Sequence, residues 1–230
     1  MQLADFQALT DRLVRAPVNK VTTADRDQAV SLAITRYSAD RPHVTTEDVL
    51  ATGSNLLALP LHWEPDSTLI GIESPPGEWP PAMWSAGDFG LLKTPAGDKI
   101  GLRSALNAGE VVRVHFSVAH TVDAISSTIP PAHLEAVCSW AAAILCDQIA
   151  GTYASNSAPT IQADSADTSN PAREWRGRAT GFRARYAAQL GVQGITGSSS
   201  DKPVTSAAGT VVEFDLADSR RAGWLNRYRT

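Results

Sequence analysis

Residues 130–149, PPAHLEAVCSWAAAILCDQI, and residues 171–190, PAREWRGRATGFRARYAAQL, decide how this chain folds. Both open on proline, which is tolerated in the first turn of a helix because the N–H it lacks would have no partner there. In the first stretch Leu134, Val137, Ala141, Leu145 and Ile149 recur at intervals of three and four, which predicts a continuous buried stripe. In the second, Trp175, Ala179, Phe182, Tyr186 and Leu190 keep the same period along one face. Arg173, Arg176, Arg183 and Arg185 lie largely off that line, so the second helix has a wet, cationic side that suits an oligomer or partner contact. Residues 157–170 between the two helices are polar and acidic and read as a loop.

At 230 residues and 43% hydrophobic, the chain can bury a sizeable core as one large domain or a core with appendages. The net charge of -4 hides an asymmetry: residues 1–170 hold 10 Lys/Arg against 19 Asp/Glu, and residues 171–230 hold 10 against 5. A chain polarised in this way meets an acidic surface with one end while the other stays solvated; the plainer reading is that both faces are simply wet. Cys138 and Cys146 lie eight residues apart on one helix, roughly 12 Å along its axis, too far for a disulfide. They read as buried thiols in a reducing compartment. The N-terminal MQLADFQALTDRLVRAP is acidic where a secretory signal is basic, and no segment reaches the continuous apolar length that spans a bilayer. A soluble protein made in a cytoplasm, with no membrane contact, is expected.

Working outward, residues 4–15 predict a short helix limited by Pro17. A longer one follows, capped by Thr22 or Thr23, with Asp25 and Asp27 at the positive end of its dipole and Val30, Ala33, Ile34 and Tyr37 on one face. Arg41-Pro42 ends it. From Val44 the pattern changes to short β-like runs at 55–61, 68–73, 89–94, 99–103 and 111–118, separated by turn residues. The expected fold is therefore α+β. A helical core is formed by residues 1–43 and 128–190, a small antiparallel β-domain is inserted at 44–122, and an extended arm runs over 191–230. Within the arm, residues 191–200 are rich in Gly and Ser, residues 210–216 (TVVEFDL) alternate like a strand, and Arg220, Arg221, Trp224, Leu225, Arg227 and Tyr228 follow. An isolated strand beyond a linker must add to a sheet edge, and Trp, Tyr and Arg are the residues that most often anchor interfaces. These six residues are the candidate partner-binding set.

The chemical constellations are sparse. Histidines 43, 62, 115, 120 and 133 show no metal-ligand spacing, and the cysteines lack the spacing of a zinc or dithiol site, so neither metal nor cofactor is expected. His115, His120 and Asp123 form the best acid/base group, without a nucleophile to complete it. Gly71, Gly77, Gly87 and Gly90 lack the pattern of a phosphate loop. Trp63, Trp79, Trp84 and Phe89 suit either a binding platform or the core of a β-domain with short strands. No catalytic residue is assigned and the chain reads as a non-enzyme.

In this order of elements the chain resembles the head–tail connector, or adaptor, proteins of tailed bacteriophages and prophages. The likeness is carried by TADRDQAVSLAITRYSADRP (23–42), VVRVHFSVAHTVD (111–123), STIPPAHLEAVCSWAAAILCDQIAGTYA (127–154), EWRGRATGFRARYAAQL (174–190) and RRAGWLNRYR (220–229). It is a likeness of layout and local phrasing over most of the chain. It implies a virion protein of the neck, assembled in the host cytoplasm as a homo-oligomeric ring below the portal. Such a ring extends the DNA channel, binds the portal protein on one side and a tail or tail-terminator protein on the other, and contacts genomic DNA without sequence preference. Asp147, Asp164 and Asp167 are candidates for an acidic channel wall, on which DNA slides because carboxylates release no counterions from it; they serve equally as surface charges. The β-domain is longer than a minimal helical connector needs. Two other classes compete: a DNA-binding accessory or packaging factor using the basic C-terminal region, and a small hydrolase built on His115, His120 and Asp123.

Overall fold

A computed structural model describes residues 1–17, 19–95, 97–156 and 171–192. The loop expected at 157–170, together with the linker, strand and aromatic arm expected beyond residue 192, lies outside them. The described architecture is α+β, with α1 (Leu3–Val14), α2 (Thr23–Asp40), β1 (His43–Leu50), β2 (Leu56–Leu57), β3 (Leu69–Glu73), β4 (Phe89–Thr94), β5 (Gly97–Leu102), β6 (Val111–Val118), a 3-10 turn (Pro131–His133), α3 (Leu134–Asn156) and α4 (Pro171–Leu190). The chain divides into two compact units. Of the described residues, Met1–His43 joins those from Ala119 to Val192 in a helical unit, and Val44–Val118 forms a β unit.

In the helical unit α3 packs against α1, α2 and α4. Its burial is wider than the expected stripe: Ala136, Val137, Cys138, Ala141, Ala142, Ala143, Leu145, Cys146, Ile149 and Ala150 are all buried, while Leu134 is only partly so. A helix enclosed by three neighbours is apolar nearly all round, and its alanines let the neighbouring backbones come close. The same enclosure corrects the expectation about spanning length. Pro131–Ser155 is long and apolar enough to cross a bilayer by composition, and 61% of it is buried inside the protein. Helix α1 contributes Phe6, Thr10 and Val14, one turn apart, and α2 contributes Ala29, Val30, Ala33 and Tyr37. Thr22 caps α2: its hydroxyl accepts from the Asp25 N–H (3.1 Å), and the Asp25 carboxylate accepts from the Thr22 N–H (2.9 Å). The Thr22 hydroxyl also lies within donating distance of that carboxylate (2.7 Å), and this contact with the bond from the Thr22 N–H holds the Asp25 carboxyl below its usual range. Cys138 and Cys146 are buried and unbridged, and burial pushes their thiols up to about 12 and about 11.

The β unit holds two three-stranded sheets, in the orders β1-β6-β3 and β2-β5-β4. Strand β3 runs antiparallel to β6, and β5 runs antiparallel to both β2 and β4. Alternate residues of β6, Val112, Val114 and Phe116, enter a core with Ala51, Leu57, Ile72, Ile100 and Leu102. Trp63, Trp84 and Phe89 pack against that core, and Trp63 stacks on Phe116 with ring centroids 5.6 Å apart. Trp79 stands apart at 92% exposed, so the four aromatics do not form one platform. Across the first sheet Arg113 of β6 donates to both carboxylate oxygens of Asp48 on β1 (2.8 and 3.1 Å) and lies 3.7 Å from Glu73 on β3. Two local expectations change. The run at 55–61 pairs only over Leu56–Leu57 before turning at Pro60, where the Trp63 N–H returns to the Pro60 carbonyl, and β1 is a strand where none was predicted.

Enclosure on three sides makes α3 intolerant of added volume. Ala142→Leu is expected to destabilise the helical unit by about 1–3 kcal/mol, read as a lower urea midpoint; an unchanged midpoint would mean that α3 has an open side.

Candidate functional site

The arginine-rich helix α4 is the part of the candidate interface that the described residues contain. Its apolar face is seated as expected, with Trp175, Ala179, Tyr186 and Leu190 buried and Phe182 partly buried against the core. The four predicted arginines separate into two groups. Arg173 and Arg176 are exposed near the start of the helix. Arg183 and Arg185 reach back to α3: Arg183 donates to Asp147, and Arg185 lies 3.7 Å from Glu135 and 5.6 Å from the Phe182 ring centroid. Asp147, proposed for an acidic wall, is therefore engaged in a pair with Arg183. Asp164 and Asp167 lie outside the described residues, as do Arg220, Arg221, Trp224, Leu225, Arg227 and Tyr228.

Two arginines that the periodicity does not single out close helix ends. Arg178 lies over the Trp175 ring (4.1 Å) and donates to the Val14 carbonyl (2.8 Å), which α1 leaves without a partner in its last turn. Arg41 donates to the Leu190 carbonyl at the end of α4 (2.6 Å). The only sequence hint of Arg178 is its place three residues after a tryptophan on a helix.

Between α2, α3 and α4 runs a polar seam. The Asp40 carboxylate accepts from the Arg36 Nε (2.7 Å) and from the Tyr186 hydroxyl (2.7 Å). The Arg36 guanidinium lies 5.2 Å from the Trp140 ring centroid, and that ring is 4.9 Å from Tyr186. Burial and the bond to Asp40 push the Tyr186 phenol well above its ordinary range. Each of these groups fixes helix against helix.

A second polar cluster lies where the chain leaves and re-enters the helical unit. The His120 N–H donates to the Ser38 hydroxyl (2.9 Å). Its Nε2 lies 2.9 Å from the Arg41 carbonyl, which only accepts, so Nε2 carries the proton and Nδ1 accepts from the Thr128 hydroxyl (2.9 Å). The ring packs against Tyr37 (4.9 Å) and His43 (5.3 Å), and the Tyr37 hydroxyl meets His133 Nδ1 at 2.5 Å. Burial lowers both His120 and His133 below the usual histidine range, and Arg41 pushes His133 in the same direction. His120, one of the candidate acid/base trio, is thus a buried group whose ring nitrogens are both engaged. His115 belongs to the β unit, where its Nε2 lies 3.6 Å from Glu73, so the proposed trio with Asp123 is divided between the two units. Among the described residues no group of three or more His, Cys, Asp or Glu side chains is arranged to hold a metal ion. A cavity of about 340 Å³ beside the start of α2 is lined by Asp11, Arg15, Thr23 and Arg26, and there Arg26 is already paired with Asp11 (3.0 Å) and Asp27 (2.9 Å).

Removing the Tyr186 hydroxyl leaves Asp40 with one partner fewer in a mostly buried position. Tyr186→Phe should therefore cost about 1–3 kcal/mol by urea denaturation. Histidines lowered in the fold bind protons more readily once unfolded, so their contribution is present above about pH 6.5 and is lost as the pH falls through the lowered values. The urea midpoint should be lower at pH 5 than at pH 7.5, and His120→Gln should flatten that dependence. The carboxylates Asp25, Glu47 and Asp48, which the fold holds low, act below this window.

No family model matches this chain, and no curated protein or solved structure matches it.

Proposed function

We propose that the chain is a structural subunit of a phage neck, a head–tail connector that assembles as a homo-oligomeric ring below the portal, extends the DNA channel and joins head to tail without catalysing a reaction. One observation carries this reading beyond the layout of the sequence. Of the eleven large apolar side chains exposed among the described residues, nine fall in Val44–Val118: Val44, Leu50, Leu61, Ile70, Trp79, Met83, Leu91, Leu92 and Val111. Single exposed apolar groups are ordinary, but nine on a unit of this size, with Trp79 and Leu61 above 80% exposed, suit a surface that other proteins cover.

The polar groups support the same reading. In the helical unit Arg26 with Asp11, Arg183 with Asp147 and Arg185 with Glu135 each join one helix to another, and Arg183 and Arg185, which a DNA-binding factor would direct to phosphates, are engaged with α3. A ring multiplies modest interfaces around its circumference, so a subunit that is monomeric by itself is compatible with assembly on a portal. In the proposal the partners are other copies of the chain, the portal protein and a tail or tail-terminator protein, with DNA passing through the channel.

The test is an image of the particle neck, or of the chain mixed with its portal, together with removal of residues 217–230. A ring at the portal is expected, and the truncated chain should remain folded and fail to join it. Joining should survive moderate salt, since aromatic anchors are not screened, whereas phosphate binding would weaken steeply. A full-length chain that never meets the portal, or steep salt-dependent retention on DNA, would overturn the proposal.

A further inference from the structure

Strand β4 ends its sheet, with β5 as its one neighbour in the order β2-β5-β4, and its four inner residues, Gly90, Leu91, Leu92 and Lys93, are exposed. The other strand ends are different. Strand β2 is two residues long, and β3 is flanked by residues 82–84 through Trp84 N–H to the Ile72 carbonyl (2.8 Å) and Ser74 N–H to the Ala82 carbonyl (3.1 Å). The turn after Pro60 lies along β1, its Leu61 and His62 N–H groups donating to the Glu47 carboxylate (2.8 and 3.2 Å). Among the described residues no strand or loop pairs with the outer edge of β4, and a six-residue edge of that kind is a template for another strand. In the register of the hairpin Phe89 faces Leu102 and Leu91 faces Ile100, and both β5 residues are buried, so Phe89 and Leu91 stand on the core side. Leu92 faces Lys99 on the opposite side.

We propose that residues 210–216, TVVEFDL, of a second copy of the chain pair with this edge and complete the sheet. This inference rests on the ring reading and names the contact that joins one subunit to the next. Those residues lie outside the described part of the chain, in a stretch of 38 residues from 193 to 230, and there they are the one run that alternates like a strand. Seven residues are enough to cover the six of β4. Alternation places Val212, Phe214 and Leu216 on one face, suited to extend the core past Phe89 and Leu91. Glu213 and Asp215 fall on the other face, the side of Leu92 and Lys99. Residues 193–209 extend to about 55 Å, enough to cross to a neighbouring subunit. Because donor and acceptor are different surfaces, the contact is head-to-tail and closes into a ring when its rotation closes.

Hydrogen exchange distinguishes the arrangements. A ¹⁵N-labelled full-length chain carrying Val212→Pro and Phe214→Pro cannot offer its own strand, since proline donates no ladder bond. Mixed with excess unlabelled native chain, its residues 89–94 should exchange about tenfold more slowly or better than when alone, read by mass spectrometry on the labelled peptides. Exchange that is unchanged on mixing, or already slow in the variant alone, overturns the inference. So does native-chain protection that is independent of concentration, which would mean that the segment pairs within its own chain. A ring imaged at the portal with residues 89–94 unprotected overturns this contact and leaves the connector reading standing. Protection between copies that gives only open fibres and no portal binding supports the contact and overturns the connector reading.

Discussion

Helix α3 is buried on nearly every side, so it is stable in water only when α1, α2 and α4 all stand against it. Two of those partners precede the β unit in sequence and one follows α3, so the helical unit cannot close until residues 43 and 119 are brought back together. The groups that hold this junction are polar. His120 takes the Ser38 hydroxyl, the Arg41 carbonyl and the Thr128 hydroxyl at once, and its ring lies against Tyr37 and His43. A buried histidine with both nitrogens engaged specifies one geometry, because any shift of α2 against the chain after β6 strands a polar group away from water. Arg41, at the same junction, also closes the end of α4. One short segment thus ties the first half of the helical unit to the second.

The arginines of α4 separate by what lies beneath them. Where α3 offers Asp147 and Glu135, Arg183 and Arg185 turn inward and their charge is matched; Arg178 serves the carbonyl end of α1. The pairs with Asp147 and Glu135 are partly exposed, so each stabilises by at most about 1 kcal/mol and acts mainly to set the angle of α4 on α3. Arg173 and Arg176 are exposed near the outer start of the helix. Arg178, Arg183 and Arg185 thus seat α4 against α1 and α3.

The helices were legible because their signals are local. Prolines at their starts, the Thr22 and Asp25 box and the apolar spacing all lie within a few residues of what they determine. Strands β4 and β6 were legible for the same reason, as continuous β-forming runs between turns. Strand β1 was not: HVTTEDVL is half polar, and it becomes a strand because β6 supplies Arg113 to Asp48 from 65 residues away. The run at 55–61 has strand-forming leucines, but Pro60 removes a donor and turns the chain, so only Leu56–Leu57 pair. Of the candidate interface, the apolar face of α4 could be read from its period, while the division of its arginines could not, since nothing in α4 says where Asp147 and Glu135 will stand. The burial of His120 is not legible locally, because two of its partners, Ser38 and the Arg41 carbonyl, lie about 80 residues earlier in the chain.

Exposed apolar groups and an open strand edge occur in the same unit, and together they constrain what that unit can do. A small core of eight buried residues, with partly buried neighbours such as Trp63, Trp84 and Phe89 packed on it, leaves nine large apolar side chains exposed on the strands and turns of the unit. Water opposes that arrangement at roughly 25 cal/mol for each Å² of apolar surface, a cost that disappears when a partner covers it. A free edge adds backbone groups whose hydrogen bonds are directional, so covering it selects a strand in a particular register rather than any apolar surface. Apolar area supplies the strength of association and the edge supplies its geometry, the combination that an assembling subunit needs if each copy is to be added at the same angle as the last.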